Sequence, residues 1–99
     1  MAKLHIDLQS GFANDTVLIR VNGKEEYNQQ KVTTDKMLGL ATSFELHLKE
    51  GPITVDIDVT TKNLHDNVQL NLKEVLYLGI SLQSNKIEFI ISKDPFGYF

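Results

Sequence analysis

Apolar residues occupy every second position over much of this chain, and that pattern limits the fold more than any other feature. Four segments show the alternation most clearly: Leu4 to Leu8, Phe44 to Leu48, Ile53 to Val59 and Val68 to Leu72. Successive side chains of a β-strand point to opposite faces of the sheet. The pattern therefore predicts strands that each bury one face and expose the other.

Turn residues divide the chain into further strands. Val17 to Val21 runs directly into Asn22-Gly23, a dipeptide that suits a type I′ hairpin turn, and Lys24 to Tyr27 is predicted as the return strand. Val75 to Leu82 is almost continuously apolar, which predicts a central strand, and Lys86 to Ser92 follows it after a short turn. About seven or eight short strands without a clear helix predict an all-β fold, an antiparallel β-sandwich.

Three segments have weaker patterns. Asn28 to Lys31 is polar and is predicted to be a loop or an irregular edge, and Thr61 to Asn67 is predicted to be a loop. Asp35 to Leu40 is interpreted as a bend or short turn. Asp35 could instead cap a single helical turn there, although Gly39 argues against a longer helix.

Length and composition restrict the protein class. Ninety-nine residues fit one domain, residues 1–99, and the absence of cysteine excludes disulfides and thiolate sites. The net charge of −3 argues against a nucleic-acid partner, and no apolar run is long enough to cross a membrane. Without a visible signal peptide we expect a cytoplasmic protein, and export after removal of a signal stays open as the alternative.

Two passages have a distinctive arrangement of strand and turn. One is Val17 to Lys24, a strand that leads into an Asn-Gly-Lys hairpin, and the other is Glu50 to Val59, where a glycine-containing turn precedes a long alternating strand. In these passages the chain resembles small bacterial β-sandwich modules of the PEGA and carboxypeptidase-regulatory-like type. The usual Pro-Gly order of that turn is reversed here as Gly51-Pro52. The resemblance implies a non-catalytic interaction or spacer module.

Aspartates on the predicted solvent faces are the candidate ligand residues. Asp56 and Asp58 share one face of a strand, and Asp7 could join them; either this face or the aromatic C-terminal end could bind a small ligand, calcium or a carbohydrate. The alternative is an ordinary solvated face that discourages pairing of strand edges. His5 and His47 could approach each other if their strands were neighbours, but two ligands are too few for a zinc site, so no metal is expected.

The C-terminus is unusually aromatic for a chain end. Pro95, Phe96, Tyr98 and Phe99 lie within its last five residues. Either these side chains fold back to close one end of the sandwich, or they form an interface with another chain, because aromatic residues are enriched at interface cores.

No spacing of serine, histidine and acidic residues indicates catalysis, and no phosphate-binding loop is present. The sequence therefore predicts a non-enzymatic module without a cofactor. It would use a sheet face or edge to bind another protein or a second copy of itself, and binding of a small ligand is the alternative function.

Overall fold

A computed structural model describes residues 1–98, which form eight β-strands in two sheets. The strands are β1 (Ala2–Leu8), β2 (Asp15–Val21), β3 (Lys24–Val32), β4 (Thr42–Leu48), β5 (Gly51–Val59), β6 (Leu64–Leu72), β7 (Val75–Gln83) and β8 (Lys86–Ser92). A three-residue 3-10 helix, Thr60–Lys62, joins β5 to β6. No helix in the described part of the chain has the length and apolar character needed to cross a bilayer.

The first sheet has the order β4-β1-β7-β8 and the second has the order β3-β2-β5-β6. All strand pairs are antiparallel except β1 with β7. The chain passes from one sheet to the other between β1 and β2, between β3 and β4, between β4 and β5, and between β6 and β7. The predicted all-β sandwich of seven to eight strands is thus confirmed.

The alternating apolar rows meet between the two sheets, where they form one core. Fully buried members include Leu4 and Ile6 on β1, Ile19 on β2, Ile57 on β5 and Leu78 on β7. Because each row is buried on one face only, the residues between them point to the two outer faces of the sandwich.

Both short hairpins have the geometry that their residues favour. Asn22 and Gly23 have φ of 51° and 82°, and Ser84 and Asn85 have φ of 53° and 60°. Positive φ at both central positions defines the type I′ turn, so the Asn-Gly prediction is confirmed. The predicted central position of β7 is also confirmed, since it pairs with β1 on one side and with β8 on the other.

Two segments without apolar alternation belong to strands. Strand β3 continues through Asn28 to Val32, where one shift of register against β2 marks a bulge, so this segment is the predicted irregular edge rather than a loop; a second shift lies nearer the start of the strand, between Glu25 and Tyr27. The loop predicted over Thr61 to Asn67 is wrong, because β6 begins at Leu64 and pairs along the whole of β5. Both segments are edge strands whose side chains are largely exposed, so they carry little apolar alternation.

The segment from Asp35 to Leu40 is a turn closed by its own backbone. Asp35 N–H donates to Leu40 O at 3.0 Å, and Gly39 N–H donates to Asp35 O at 2.8 Å. The Asp35 carboxylate also accepts a hydrogen bond from Met37 N–H at 2.9 Å. The interpretation as a short turn is confirmed.

Gly11 lies where the chain leaves the first sheet, and its position has no room for a side chain. Its φ is +90°, and a Cβ there would lie 2.0 Å from the backbone oxygen of Leu82. The neighbouring Ser10 O accepts a hydrogen bond from Leu82 N–H at 2.8 Å, which holds the two segments together. Gly23 has a similar φ of +82°, but a Cβ at that position would meet no atom within 4 Å.

We therefore expect Gly11→Ala and Gly23→Ala to differ strongly in stability. Gly23→Ala adds only backbone strain and lowers the free energy of unfolding by about 1 kcal/mol. Gly11→Ala adds a backbone clash and lowers it by more than about 3 kcal/mol. Urea unfolding followed by circular dichroism measures both, and equal losses would contradict the close approach at Gly11.

Candidate functional site

The outer face of β1 holds a carboxylate that is unusually buried. Asp7 alternates with the core residues Ile6 and Leu8, so it points away from the core, yet only 3% of it is exposed. A carboxylate on an outer face is normally hydrated, and burial without partners is unfavourable. Asp7 is buried because the end of the chain covers it.

After β8 the chain bends at Lys93 and Asp94 and crosses the outer face of the first sheet. Asp94 N–H donates to Ser92 Oγ at 3.0 Å in this bend. Residues 95–98, called the strap below, then contact the sheet. Phe96 and Tyr98 are half-buried, whereas Pro95 and Gly97 are exposed.

Tyr98 attaches the strap to the sheet through hydrogen bonds. Its hydroxyl donates to Asp7 Oδ2 at 2.5 Å and accepts from Gln9 Nε2 at 3.0 Å. The Gln9 amide oxygen accepts from Ser81 Oγ at 3.4 Å, which extends the chain of contacts onto β7. Burial, followed by the hydrogen bond to Asp7, raises the pKa of Tyr98 to about 12.

Gly79 makes this arrangement possible. It lies on the outer face of β7, and a Cβ there would come within 2.7 Å of the Gln9 side-chain amide. A glycine inside a strand often marks such a close approach. The missing side chain lets Gln9 lie flat on the sheet, where it reaches the Tyr98 hydroxyl.

His5 lies between two carboxylates on the same face. Its Nδ1–H donates to Glu45 Oε1 at 3.2 Å, and its Nε2 lies 2.9 Å from Asp7 Oδ1. The hydrogen bond from His5, and next the charge of Lys3 at 3.7 Å, hold the pKa of Glu45 below its usual range. The imidazole also contacts Tyr77, with ring centroids 5.3 Å apart.

One oxygen of Asp7 lacks a hydrogen bond. The contact between Asp7 Oδ1 and His5 Nε2 is short, but it does not have hydrogen-bond geometry, so Oδ1 is buried without a hydrogen-bond partner among the described residues. Asp7 borders an open depression of about 280 Å³. Its other walls include His5, Glu45, Tyr77, Phe96 and Tyr98.

Asp15 shows how the same fold satisfies a buried carboxylate elsewhere. It is 2% exposed and accepts hydrogen bonds from Ala13 N–H at 2.8 Å, from the Thr61 hydroxyl at 2.5 Å and from the Lys62 ammonium. Burial acts to raise the pKa of Asp15, but these donors outweigh it and hold the pKa below its usual value. Asp7 has no lysine or arginine within 4.0 Å among residues 1–98.

The structure separates the three aspartates that the sequence suggested as one ligand face. Asp7 is in the first sheet, whereas Asp56 and Asp58 lie on the outer face of the second sheet, on the opposite side of the sandwich. Asp58 pairs with Arg20 at 3.2 Å, and Asp56 lies 3.7 Å from His65. The predicted grouping is wrong, because Asp7 and Asp56 belong to strands of different sheets.

The predicted aromatic tail lies on its own chain. Phe96 and Tyr98 cover the outer face of the first sheet rather than closing one end of the sandwich, and Phe99 lies outside the described residues. The alternative prediction, contact of this tail with another chain, stays a prediction. His5 and His47 are on the neighbouring strands β1 and β4, where His5 is directly opposite Glu45.

Comparisons with known proteins give no family assignment: no protein-family model and no curated protein matches the chain. The likeness to PEGA-type modules therefore stays a prediction.

Removing the Tyr98 hydroxyl should loosen the strap. In Tyr98→Phe the Asp7 Oδ2 atom loses its hydrogen bond while the carboxylate stays partly buried, so we expect the free energy of unfolding to fall by about 1–3 kcal/mol. Tyr27→Phe is the matched control, because Tyr27 stacks on Phe44 through its ring and makes no side-chain hydrogen bond within residues 1–98. Chemical unfolding measures the free energy of unfolding of both variants. Equally small decreases in the two would contradict a role for the Tyr98 hydroxyl.

Alkaline pH should release the strap over a defined interval. The pKa of Tyr98 is raised from 10.0 to about 12 in the folded protein, so its contribution is fully present below pH 10 and is lost as pH rises through about 12. We expect the free energy of unfolding to fall more steeply in the wild type than in Tyr98→Phe over this interval. Parallel pH profiles for the two proteins would argue against the raised pKa.

Proposed function

We propose that this protein is a non-catalytic interaction module that associates with a second copy of itself through the open edge of β8. The observation that carries the proposal is the exposure of two consecutive isoleucines on this strand. Ile90 is 53% exposed and Ile91 is 50% exposed. Among the exposed large apolar side chains of residues 1–98, only these two belong to an edge strand.

The other sheet edges are protected against pairing. Strand β3 has two bulges and a charged, polar sequence, and both features discourage addition of a further strand. Strand β4 exposes Ser43, Glu45 and His47, and β6 exposes mainly polar side chains. Strand β8 pairs with β7 in regular register from Lys86 to Ser92. The strap leaves this strand toward β1, so it does not cover the free edge.

The positions of the two isoleucines favour a β-strand as the partner. Ile90 points to the outer face and Ile91 to the core face, because neighbouring residues of a strand alternate. A helix lying on one face would cover only one of them. A strand beside β8 in the plane of the sheet covers both, and it also pairs with the backbone groups that an edge strand leaves without partners.

A second copy provides such a strand with a suitable sequence. Antiparallel pairing about a two-fold axis through Phe89 is the one register that pairs all seven residues of β8 with the same strand of the other copy. It sets Ile91 opposite Ile87 of the other copy on the core face, and it sets Ile90 opposite Glu88. In this register no like charges are directly opposite each other. The first sheets of the two copies then form one continuous sheet of eight strands.

The site under the strap supports the non-catalytic part of the proposal. Both ring nitrogens of His5 lie against carboxylates, at 2.9 Å from Asp7 and 3.2 Å from Glu45. A general base needs a free nitrogen within hydrogen-bond reach of the hydroxyl that it activates. Ser43 borders the same depression but shares no hydrogen bond with His5 among the described residues.

Charge substitutions on β8 test both the edge and the register. Ile90→Glu sets a carboxylate opposite Glu88 of the other copy at two symmetric positions, so we expect the dimer to dissociate. Glu88→Lys combined with Ile90→Glu sets opposite charges across the axis and should restore it. Sedimentation equilibrium over a concentration series measures the association of each variant.

Met37→Glu is the matched control, because Met37 is 86% exposed in a turn outside the strands. It should associate as the wild type does. A wild-type protein that stays monomeric at about 1 mM, where an association of only about 4 kcal/mol would be half complete, would overturn the proposal. Failure of the charge-swapped double variant to dimerise would overturn the register.

A further inference from the structure

We propose that a cleft at one end of the sandwich binds a small amphipathic carboxylate, with its apolar chain in the cleft and its carboxylate beside the Lys36 ammonium. The cleft has a volume of about 410 Å³ and lies between the segment that joins β1 to β2 and the chain from Thr34 to Gly39. Volumes of roughly 300–1,000 Å³ are typical of sites for small organic molecules. The cleft does not involve the edge of β8, so the proposal is independent of the proposed dimer.

Thr34 fixes the two walls of the cleft against each other. Its backbone N–H donates to Phe12 O at 2.9 Å, and its hydroxyl accepts from Phe12 N–H at 3.0 Å. The same hydroxyl donates to Gln9 O at 2.7 Å. Because these hydrogen bonds form the cleft before a ligand arrives, binding does not carry the entropic cost of ordering a loop.

The inside of the cleft is mainly apolar. Phe12 lines it with a side chain that is only 3% exposed, and the exposed Ala13 adds a methyl group. Gly39 contributes backbone without a side chain, and a Cβ there would meet no atom within 4 Å, so this wall leaves the cleft open to solvent. Apolar surface that is hydrated in the free protein favours a ligand with a hydrocarbon chain.

Among residues 1–98, Lys36 is the only charged residue that lines the cleft. Lys36 is exposed, and its ammonium forms no salt bridge with the described part of the chain. The carboxylate of the neighbouring Asp35 accepts a hydrogen bond from Met37 N–H at 2.9 Å, within its own turn. The Lys36 ammonium is therefore accessible to an anion from outside.

The charge around the cleft favours a carboxylate over a phosphate or a cation. Phosphate groups are typically bound by arginine side chains or by the N-terminus of a helix, and the described residues that line this cleft include neither. The same residues include no carboxylate that could bind a cation. One ammonium beside an apolar surface matches a molecule with a single negative charge and an apolar body.

Titration with hexanoate tests the site by chemical-shift changes in proton–nitrogen correlation spectra of the full chain. We expect saturable shifts in Ser10 to Ala13 and in Thr34 to Gly39, with a dissociation constant of about 1–10 mM for a ligand of this size. The neutral analogue 1-hexanol reports the apolar contacts alone and should shift the same two segments. The absence of saturable shifts in these segments with hexanoate would overturn the proposal.

Lys36→Met tests recognition of the carboxylate, because it removes the charge and keeps an apolar side chain of similar length. We expect hexanoate to bind about threefold to fivefold more weakly, since an ion pair at an exposed position contributes little. The affinity for 1-hexanol should not change. An unchanged affinity for hexanoate, or an equal loss for both ligands, would contradict an ion pair with Lys36.

Lys31→Met is the matched control, since it removes the same charge from an exposed lysine that borders a different depression. It should bind hexanoate as the wild type does. If it lost as much affinity as Lys36→Met, hexanoate would be responding only to the net charge of the protein, and the proposed site would be wrong.

Ala13→Leu tests the position of the apolar chain. The longer side chain fills the cleft, so we expect both hexanoate and 1-hexanol to bind about tenfold more weakly or worse. Ala13 is exposed, and its backbone hydrogen bond to Asp15 is kept in the variant, so the fold should not change. Circular dichroism checks the fold, and undiminished binding of hexanoate would place the ligand elsewhere and overturn the proposal.

Discussion

The apolar layer shared by the two sheets determines where every other side chain can lie. Because the side-chain period of a strand is two, the residues between core positions must point to an outer face. Asp7 follows Ile6 and precedes Leu8, both fully buried, so its outward direction is fixed by the packing on either side of it. A shift of register would move these leucine and isoleucine side chains into solvent, so the carboxylate stays on the outer face, where another segment then covers it.

The strap adds a polar layer to one outer face. Its attachment includes hydrogen bonds from Tyr98 to Asp7 and from Gln9 to Tyr98. Such an attachment needs close approach, which Gly79 permits by leaving room for the Gln9 amide. The same geometry removes water from Asp7 without supplying a full set of donors, so the buried oxygen follows directly from the way the strap is held.

Alternation and turn chemistry predicted most of the fold, because both act locally. The Asn22-Gly23 turn and the buried rows of β1, β5 and β7 could be predicted without knowing which strands lie beside them. The start of β6 was missed, and the end of β3 was predicted only as a loop or an irregular edge, because their pairing is a property of the backbone and their exposed side chains show no period. The prediction that Asp7, Asp56 and Asp58 share one face was wrong for a related reason. Which sheet β1 and β5 belong to depends on contacts between distant parts of the chain, and the local sequence pattern does not contain them. The local signals for the site were the aromatic residues Phe96 and Tyr98 near the end of the chain and Gly79, a glycine within an otherwise apolar strand.

The free edge of β8 and the face beneath the strap belong to one sheet but differ in chemistry, and the bend at Lys93 and Asp94 separates them. On one side of the bend, β8 keeps a regular edge with apolar residues on both faces, which suits another strand. On the other side, the strap turns inward and covers the polar side chains of Asp7 and Gln9. If the chain continued straight beyond Ser92, β8 would be longer, the two-fold register through Phe89 would no longer pair the whole strand, and Asp7 would be hydrated. A single bend therefore sets both the length of the edge and the cover over the carboxylate.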